Sequence, residues 1–320
     1  MRALRAPAKI NLTLKVLGRR ADGYHEISSV FQAISLCDEV RVRWLPTAKT
    51  AATSTSASVG AASCRPPADG FFVGIRCDDP SVPVDGTNLA SRAAYLLYES
   101  VTSHLAGTVE IDLVKRIPAA AGLAGGSTDA AATLLALADL WGVRASVPEL
   151  ASLAAGLGAD VPFCVYACAA ANSVMLAEGI GERLTPLAAG ADGVPAPGSP
   201  VLLVKPDIAV PTAEIYAAYD ERAGADAGGD AFDNDLQPVT AARYPVVADV
   251  LATMRDICAD TGGRMPPLQG VAGATKIQMS GSGPTVFALF ENGDGDAAQS
   301  ACEKARAAFP AMRVLLTETL

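Results

Sequence analysis

The segment Pro118-Ala-Ala-Ala-Gly-Leu-Ala-Gly-Gly-Ser-Thr128 constrains this chain more than any other part of it. Gly122, Gly125 and Gly126 fall between an alternating run, Val109, Ile111 and Leu113, that reads as a half-buried strand, and an Ala/Leu-rich run that reads as a helix ending at Gly142. A strand, a glycine turn and a helix N-terminus in that order aim backbone N–H groups and the positive end of the helix dipole at one point, which is how a backbone holds an anion. Phosphate is the expected guest. Ser127 and Thr128 add hydroxyls that suit phosphate oxygens or Mg2+, and they suit plain helix caps equally well.

The spacing excludes the commoner nucleotide loops. No Gly-Lys-Ser/Thr closes the turn as in a P-loop, and the Gly-x-Gly-x-x-Gly of a dinucleotide fold is not formed. His-Arg-Asp, Asp-Phe-Gly and Gly-x-Ser-x-Gly are also absent, which removes protein kinases and serine hydrolases.

Of 320 residues half are hydrophobic and 18% are charged, enough apolar material for a substantial core and a length that suits two domains. The net charge of -9 disfavours a nucleic-acid partner, so any phosphate site must be local. Seven cysteines without a Cys-x-x-Cys pair read as reduced thiols rather than a disulfide framework, and His25 and His104, the two histidines, make no zinc-ligand pattern with them. Lys9 and Asn11 interrupt the first apolar run too early for a secretion signal, and stretches such as 130–138 fall well short of the roughly 18 residues that span a bilayer. The expectation is a cytoplasmic protein with a small-molecule partner, no nucleic acid and no membrane, as a monomer or weak homodimer.

Ile10, Leu12, Leu14 and Val16 alternate with polar residues as a strand does, Gly18 to Gly23 reads as a turn, and strand-like runs follow over 26–36 and 40–44. The Ala/Ser/Thr/Pro-rich stretch from Pro46 reads as a loop insertion over 46–72. Asn88 stands at the N-cap of a helix over 88–100, and Ser146-Val-Pro-Glu149 is a capping box with Pro inside the helix. A Pro/Gly-rich stretch over 188–200 suggests a boundary between domains 1–190 and 200–320. Beyond it the pattern is strand 201–205, helices 211–220 and 238–259, strand 275–279, the loop Ser280-Gly-Ser-Gly-Pro284, strand 285–291, helix 295–308 and strand 311–317, an α+β order.

Pro118 to Ala132 resembles the phosphate-binding motif of the GHMP kinases. Three more segments, in order, resemble the branch of that family acting on a cytidine diphosphate-linked methylerythritol: Pro7 to Gly18 continuing through Asp22-Gly-Tyr-His-Glu-Ile27, then Gly158-Ala-Asp-Val-Pro-Phe163, then Met279 to Phe287. The likeness implies a two-domain α+β fold, with an N-terminal mixed or antiparallel sheet and helices, a C-terminal α/β sandwich, and ATP in the cleft between them. It implies transfer of the γ-phosphoryl of ATP to the 2-hydroxyl of the methylerythritol unit, with Mg2+ accompanying ATP and its ligands unassigned. Such a transfer needs positioning and charge stabilisation more than covalent chemistry.

By the same resemblance Asp160 is the catalytic carboxylate that accepts the proton of the attacking hydroxyl, and Lys9 is the catalytic lysine. A helix cap is the ordinary use of an Asp before Val161, and a solvated strand face the ordinary place of a lysine. Pro118, Ala119, Ala120, Ala121, Gly122, Leu123, Ala124, Gly125, Gly126, Ser127 and Thr128 are the expected ATP contacts, together with Asn88, whose helix-start position explains it equally well. Ala124 and Asp129 stand where other members often carry Gly and Asn. Asn11 shares the face of Lys9 and is expected at the substrate. Tyr24 and His25 correspond to residues that stack on and hydrogen-bond the cytosine, and Thr212 and Tyr216 complete the substrate set, with Tyr216 on the other face of the base. The Ser280–Pro284 loop is expected to close over the site. A homoserine or mevalonate kinase would share the turn but not Tyr24-His25, and a sensor that had lost transfer need not retain both Lys9 and Asp160.

Overall fold

The computed structural model describes residues 1–47, 70–101, 105–190, 193–223, 234–260 and 276–320. They form two compact units that interleave along the chain. The first comprises Met1–Pro7, Cys37–Ala119 and Ala124–Ala171, and the second Ala8–Leu36, Ala120–Leu123 and Asn172–Leu320. Contacts therefore divide the chain differently from a cut over 190–200, because 8–36 and 120–123 group with the C-terminal part.

Strands β1 (Arg2–Arg19) and β2 (His25–Pro46) each run on from one unit into the other. In the first unit the C-terminal part of β2 pairs antiparallel with β4 (Gly107–Val114), which pairs parallel with β3 (Phe71–Cys77). A parallel pair needs a crossover, and α1 (Leu89–Ser100) supplies it. Inward-facing Val109, Ile111 and Leu113 are buried, as their alternation requires. The chain then passes through the glycine turn into α2 (Gly125–Leu140), whose small residues Ala130, Ala131, Ala132 and Ala136 are buried where α1 and α4 (Val161–Cys168) pack on it. Gly142, with φ +66°, ends that run in the left-handed conformation glycine adopts without strain. Helix α3 (Val147–Ala154) opens on the complete Ser146–Glu149 capping box.

In the second unit the N-terminal part of β2 pairs antiparallel with β5 (Val174–Gly179), and β5 with β6 (Arg183–Pro186). A separate antiparallel sheet has the order β10 (Arg313–Glu318), β7 (Pro200–Lys205), β9 (Val286–Leu289), β8 (Lys276–Met279). Helices α5 (Thr212–Ala223), α6 (Gln237–Arg243), α7 (Pro245–Asp260) and α8 (Gly295–Ala308) accompany it. Leu202, Val204, Val250, Met254, Phe290 and Cys302 are buried in their shared core.

Three expectations change. The runs over 26–36 and 40–44 are one strand, β2. The helix expected over 238–259 is two, because Pro245 drives Tyr244 out of the helical region to φ -124°, ψ 85°. Phe71 and Phe72, the end of the expected 46–72 insertion, belong to β3, while 48–69 and His104 lie outside the described residues. The six described cysteines are free thiols, and Cys64 is not among the described residues. Among the described residues no helix is long and apolar enough to cross a membrane.

Candidate active site

In the first unit, α2 begins on Ala124, held at φ 60°, ψ 29°, with no side-chain cap. Ser127 and Thr128 lie inside the helix, so neither is the cap their chemistry would suit, and the N-cap residue makes no side-chain hydrogen bond to the N–H groups of the first turn. That uncapped, positively polarised end is what an anion requires. Gly126 is exposed there, and Ser127 is partly exposed. Thr128 turns the other way: its side chain is buried, with Oγ1 3.4 Å from Cys168 Sγ.

Asn88 is spent on its own chain. Its Oδ1 caps α1 by accepting from Ala90 N at 2.9 Å, and its Nδ2 donates to Pro83 O at 2.7 Å. Asp160 occupies the N-cap position of α4 at φ -80°, ψ -19°, but its carboxylate makes no capping hydrogen bond. The helix-cap explanation, which accounts for most such residues, therefore does not account for this one.

Behind the turn lies a cluster that sequence reasoning missed. Lys115 Nζ donates to Asp38 Oδ2 and, at 2.5 Å, to Asp129 Oδ2, and all three side chains are nearly inaccessible to solvent. Asp38 Oδ1 also accepts from Arg116 N and Ile117 N, at 2.6 and 2.8 Å. The two carboxylates hold Lys115 charged against the burial that opposes it, raising its pKa. Burial foremost, with Asp38 beside it and only partly offset by Lys115, pushes Asp129 up to about 7. Asp129 Oδ1 has no hydrogen-bond partner among the described residues.

In the second unit, residues 120–123 lie against the loop between β8 and β9. Gly122 has φ +72°, and a Cβ on it would lie 2.5 Å from Ser280 O. Ser280 Oγ donates to Gly122 O at 2.9 Å and accepts from Asn11 N at 3.3 Å. Lys9 is buried. Its backbone N donates to Leu123 O at 3.1 Å, its Nζ donates to Asn11 Oδ1 at 2.7 Å, and the ammonium sits 4.6 Å from the Phe31 ring centroid. Asn11 Nδ2 donates to Ser29 Oγ at 2.9 Å. The lysine is thus part of a buried hydrogen-bonded network rather than a solvated charge. The loop is anchored from beneath: Asn234 donates to Met279 O and Gly281 O, both at 2.8 Å, and Thr240 to Ser282 O at 3.2 Å. Thr212 Oγ1 lies 2.9 Å from Ser282 Oγ, which brings an expected substrate residue to this loop.

His25 stacks on Tyr216 with ring centroids 4.7 Å apart and planes at 23°, and its Nε2 lies 2.7 Å from Asp220 Oδ1. The rings touch directly, so no base lies between them as they stand. Tyr24 is 60% exposed, leaving its ring free to take a base. Asp220 went unnoticed in the sequence, although it stands one helical turn after Tyr216 and so on the same face of α5.

The model of the GHMP kinases N terminal domain matches residues 88–168, and that of the GHMP kinases C terminal matches 270–311. The chain is 39% identical over 306 residues to a 4-diphosphocytidyl-2-C-methyl-D-erythritol kinase of Geobacillus thermodenitrificans, covering 91% of this chain and 88% of that one. It is 40% identical over 305 residues to the same-named enzyme of a Synechococcus strain, covering 89% and 84%. A crystal structure of 4-(cytidine 5'-diphospho)-2C-methyl-D-erythritol kinase superposes with TM-score 0.67 at 32% identity, covering 99% of each chain. A homoserine kinase from Cytophaga hutchinsonii shares the fold at TM-score 0.63 and 18% identity, covering 99% of this chain and 94% of that one.

Proposed function

The chain belongs to the GHMP kinases and, within them, to the 4-diphosphocytidyl-2-C-methyl-D-erythritol kinases, and from that premise we propose how its residues carry the activity. It is an ATP-dependent kinase of isoprenoid biosynthesis that phosphorylates the 2-hydroxyl of 4-diphosphocytidyl-2-C-methyl-D-erythritol, giving the 2-phosphate and ADP in the methylerythritol phosphate pathway. We assign it to the cytoplasm, as a monomer or weak homodimer without nucleic-acid or membrane partners.

The observation that carries the phosphate assignment is the uncapped start of α2 at left-handed Ala124, beside exposed Gly126 and partly exposed Ser127. In this reading residues 118–128 cradle the phosphates through backbone N–H groups, and Ser127 supplies a hydroxyl. Thr128 supports the turn from beneath rather than touching ATP, and Asn88 fixes the start of α1. The ATP-binding domain is taken as 1–190 and the substrate-side domain as 200–320, with the two matched family models on either side of 190–200.

Mg2+ enters with the nucleotide. Such an ion would keep several waters and be held largely through the phosphates it accompanies. It would supply charge neutralisation on the phosphates. Asp160, at the N-cap position of α4 in the matched motif, accepts the proton of the attacking 2-hydroxyl. Lys9, buried and oriented by Asn11, stabilises charge on the reacting oxygens. Tyr24 stacks on the cytosine and His25 hydrogen-bonds it, with Asp220 and Tyr216 holding the His25 ring and Thr212 bordering the substrate side.

An ADP-release assay with the cytidine diphosphate-linked methylerythritol, mevalonate and homoserine tests the assignment. Turnover is expected with the first. Preference for either of the others overturns the substrate.

A further inference from the structure

We propose that Lys115, clamped between Asp38 and Asp129, is the positioning residue that sets the entry of the phosphate turn against the first turn of α2. The inference rests on the reading of residues 118–128 as the ATP cradle. The chain enters that turn from β4 through residues 115–117, and three polar ties fix this entry. Asp38, on β2, accepts both Arg116 N and Ile117 N through Oδ1, and through Oδ2 it accepts Lys115 Nζ. The same ammonium reaches across to Asp129 on α2 at 2.5 Å. One cation thus joins β2, the segment that enters the turn and the helix it opens, all within one unit. The fit is close: a Cβ on Gly125 would lie 3.2 Å from Ile117 Cγ2 and 3.5 Å from Lys115 Nζ.

Such a cluster is a poor source of stability, because desolvating three charges offsets most of their attraction. What it supplies is a fixed geometry. The phosphate N–H groups belong to backbone that no side chain caps. Their aim depends on the relation between entry segment and helix, and small misplacements there weaken ligand contacts steeply.

The test measures KM for ATP, direct ATP binding and kcat, with thermal unfolding, for Lys115→Met, the double variant Lys115→Met/Asp129→Leu, and Ser127→Ala as a variant of the cradle itself. Lys115→Met strands two buried carboxyls and lowers Tm, and the double variant removes one of them and recovers most of that loss. If Lys115 positions the turn, both variants raise KM for ATP about tenfold or more. Both leave the acceptor KM unchanged and kcat at saturating ATP within about twofold, on the same scale. Recovery of the wild-type KM together with Tm in the double variant makes the cluster merely structural and overturns the proposal. A shifted KM in Ser127→Ala with no shift in either Lys115 variant overturns the proposal but leaves the cradle standing. No shift in any of the three overturns the cradle and the proposal with it.

Discussion

Gly122→Ala is a one-carbon change with a cost that can be worked from the structure. Gly122 has φ +72°, where a Cβ crowds the following carbonyl at roughly 1–2 kcal/mol. The new methyl would also lie 2.5 Å from Ser280 O and 3.0 Å from Gly283 O. Both are backbone atoms in a loop anchored by Asn234 and Thr240, with Met279 N donating to Gln237 Oε1 at 2.8 Å. The loop cannot yield cheaply, and forcing it aside adds about 1–3 kcal/mol. Separating the two backbones strains the Ser280 Oγ to Gly122 O bond, worth about 1 kcal/mol. The total is about 3–6 kcal/mol, in a segment where Ser280 also reaches Asn11 and Leu123 O receives Lys9 N. Urea unfolding followed by circular dichroism reads the stability, and ADP release reads kcat/KM. Ala124→Gly is the matched control: it removes a Cβ from φ 60° and gains about 0.5–1 kcal/mol with the turn intact. A Gly122→Ala protein within 1 kcal/mol of wild type, at undiminished kcat/KM, would refute the close approach of turn and loop.

Asp160→Asn keeps the shape of the side chain but cannot take a proton, so kcat should fall by about 10²–10⁴ while ATP binding by calorimetry is retained. Full turnover in that variant rejects the proposed role. Asp220→Ala frees the His25 ring, and the acceptor KM should rise severalfold with KM for ATP unchanged; an equal rise in both would show a general loss of structure. Asp129 sets a pH dependence. Its carboxyl rises from an ordinary 3.8 to about 7 in the folded chain, so the native state holds a proton that the unfolded chain releases. Its contribution is therefore greatest at low pH and is lost between about pH 4 and 7, by at most about 4 kcal/mol. Asp129→Asn should flatten that part of the stability profile measured by urea unfolding, and an unchanged slope would place the titration elsewhere.

The parts of the fold legible in the sequence are those whose causes are local. Val109, Ile111 and Leu113 face the core because a strand repeats every two residues, and α8 begins and ends at the residues its pattern indicated. The Ser146–Glu149 box needs no partner outside its own four residues. The junction at Tyr244 is also locally encoded, in the proline after it, although apolar residues continue on both sides. The continuity of β2 through Asp38 has no such local cause: Asp38 is buried within the strand because its partners in the Lys115 cluster come from far along the chain.

The candidate site divides along the same line. Residues expected to touch ligand lie in short motifs, so Lys9, Asn11, Tyr24, His25 and residues 118–128 could be singled out individually. The residues that hold those motifs in shape come from far along the chain. Asp38 and Lys115 are 77 residues apart, His25 and Asp220 are 195 apart, and Asn11 and Ser280 are 269 apart. No local pattern distinguishes such an Asp or Ser from a solvated one, because what defines it is a partner that only folding brings near. Thr128 shows the converse. Its place in the motif suits a phosphate ligand, while its side chain is buried beside Cys168, which is why we propose it as a support of the turn. Sequence proximity therefore identifies the turn proposed to cradle phosphate, and side-chain direction decides which of its members could reach a phosphate held there.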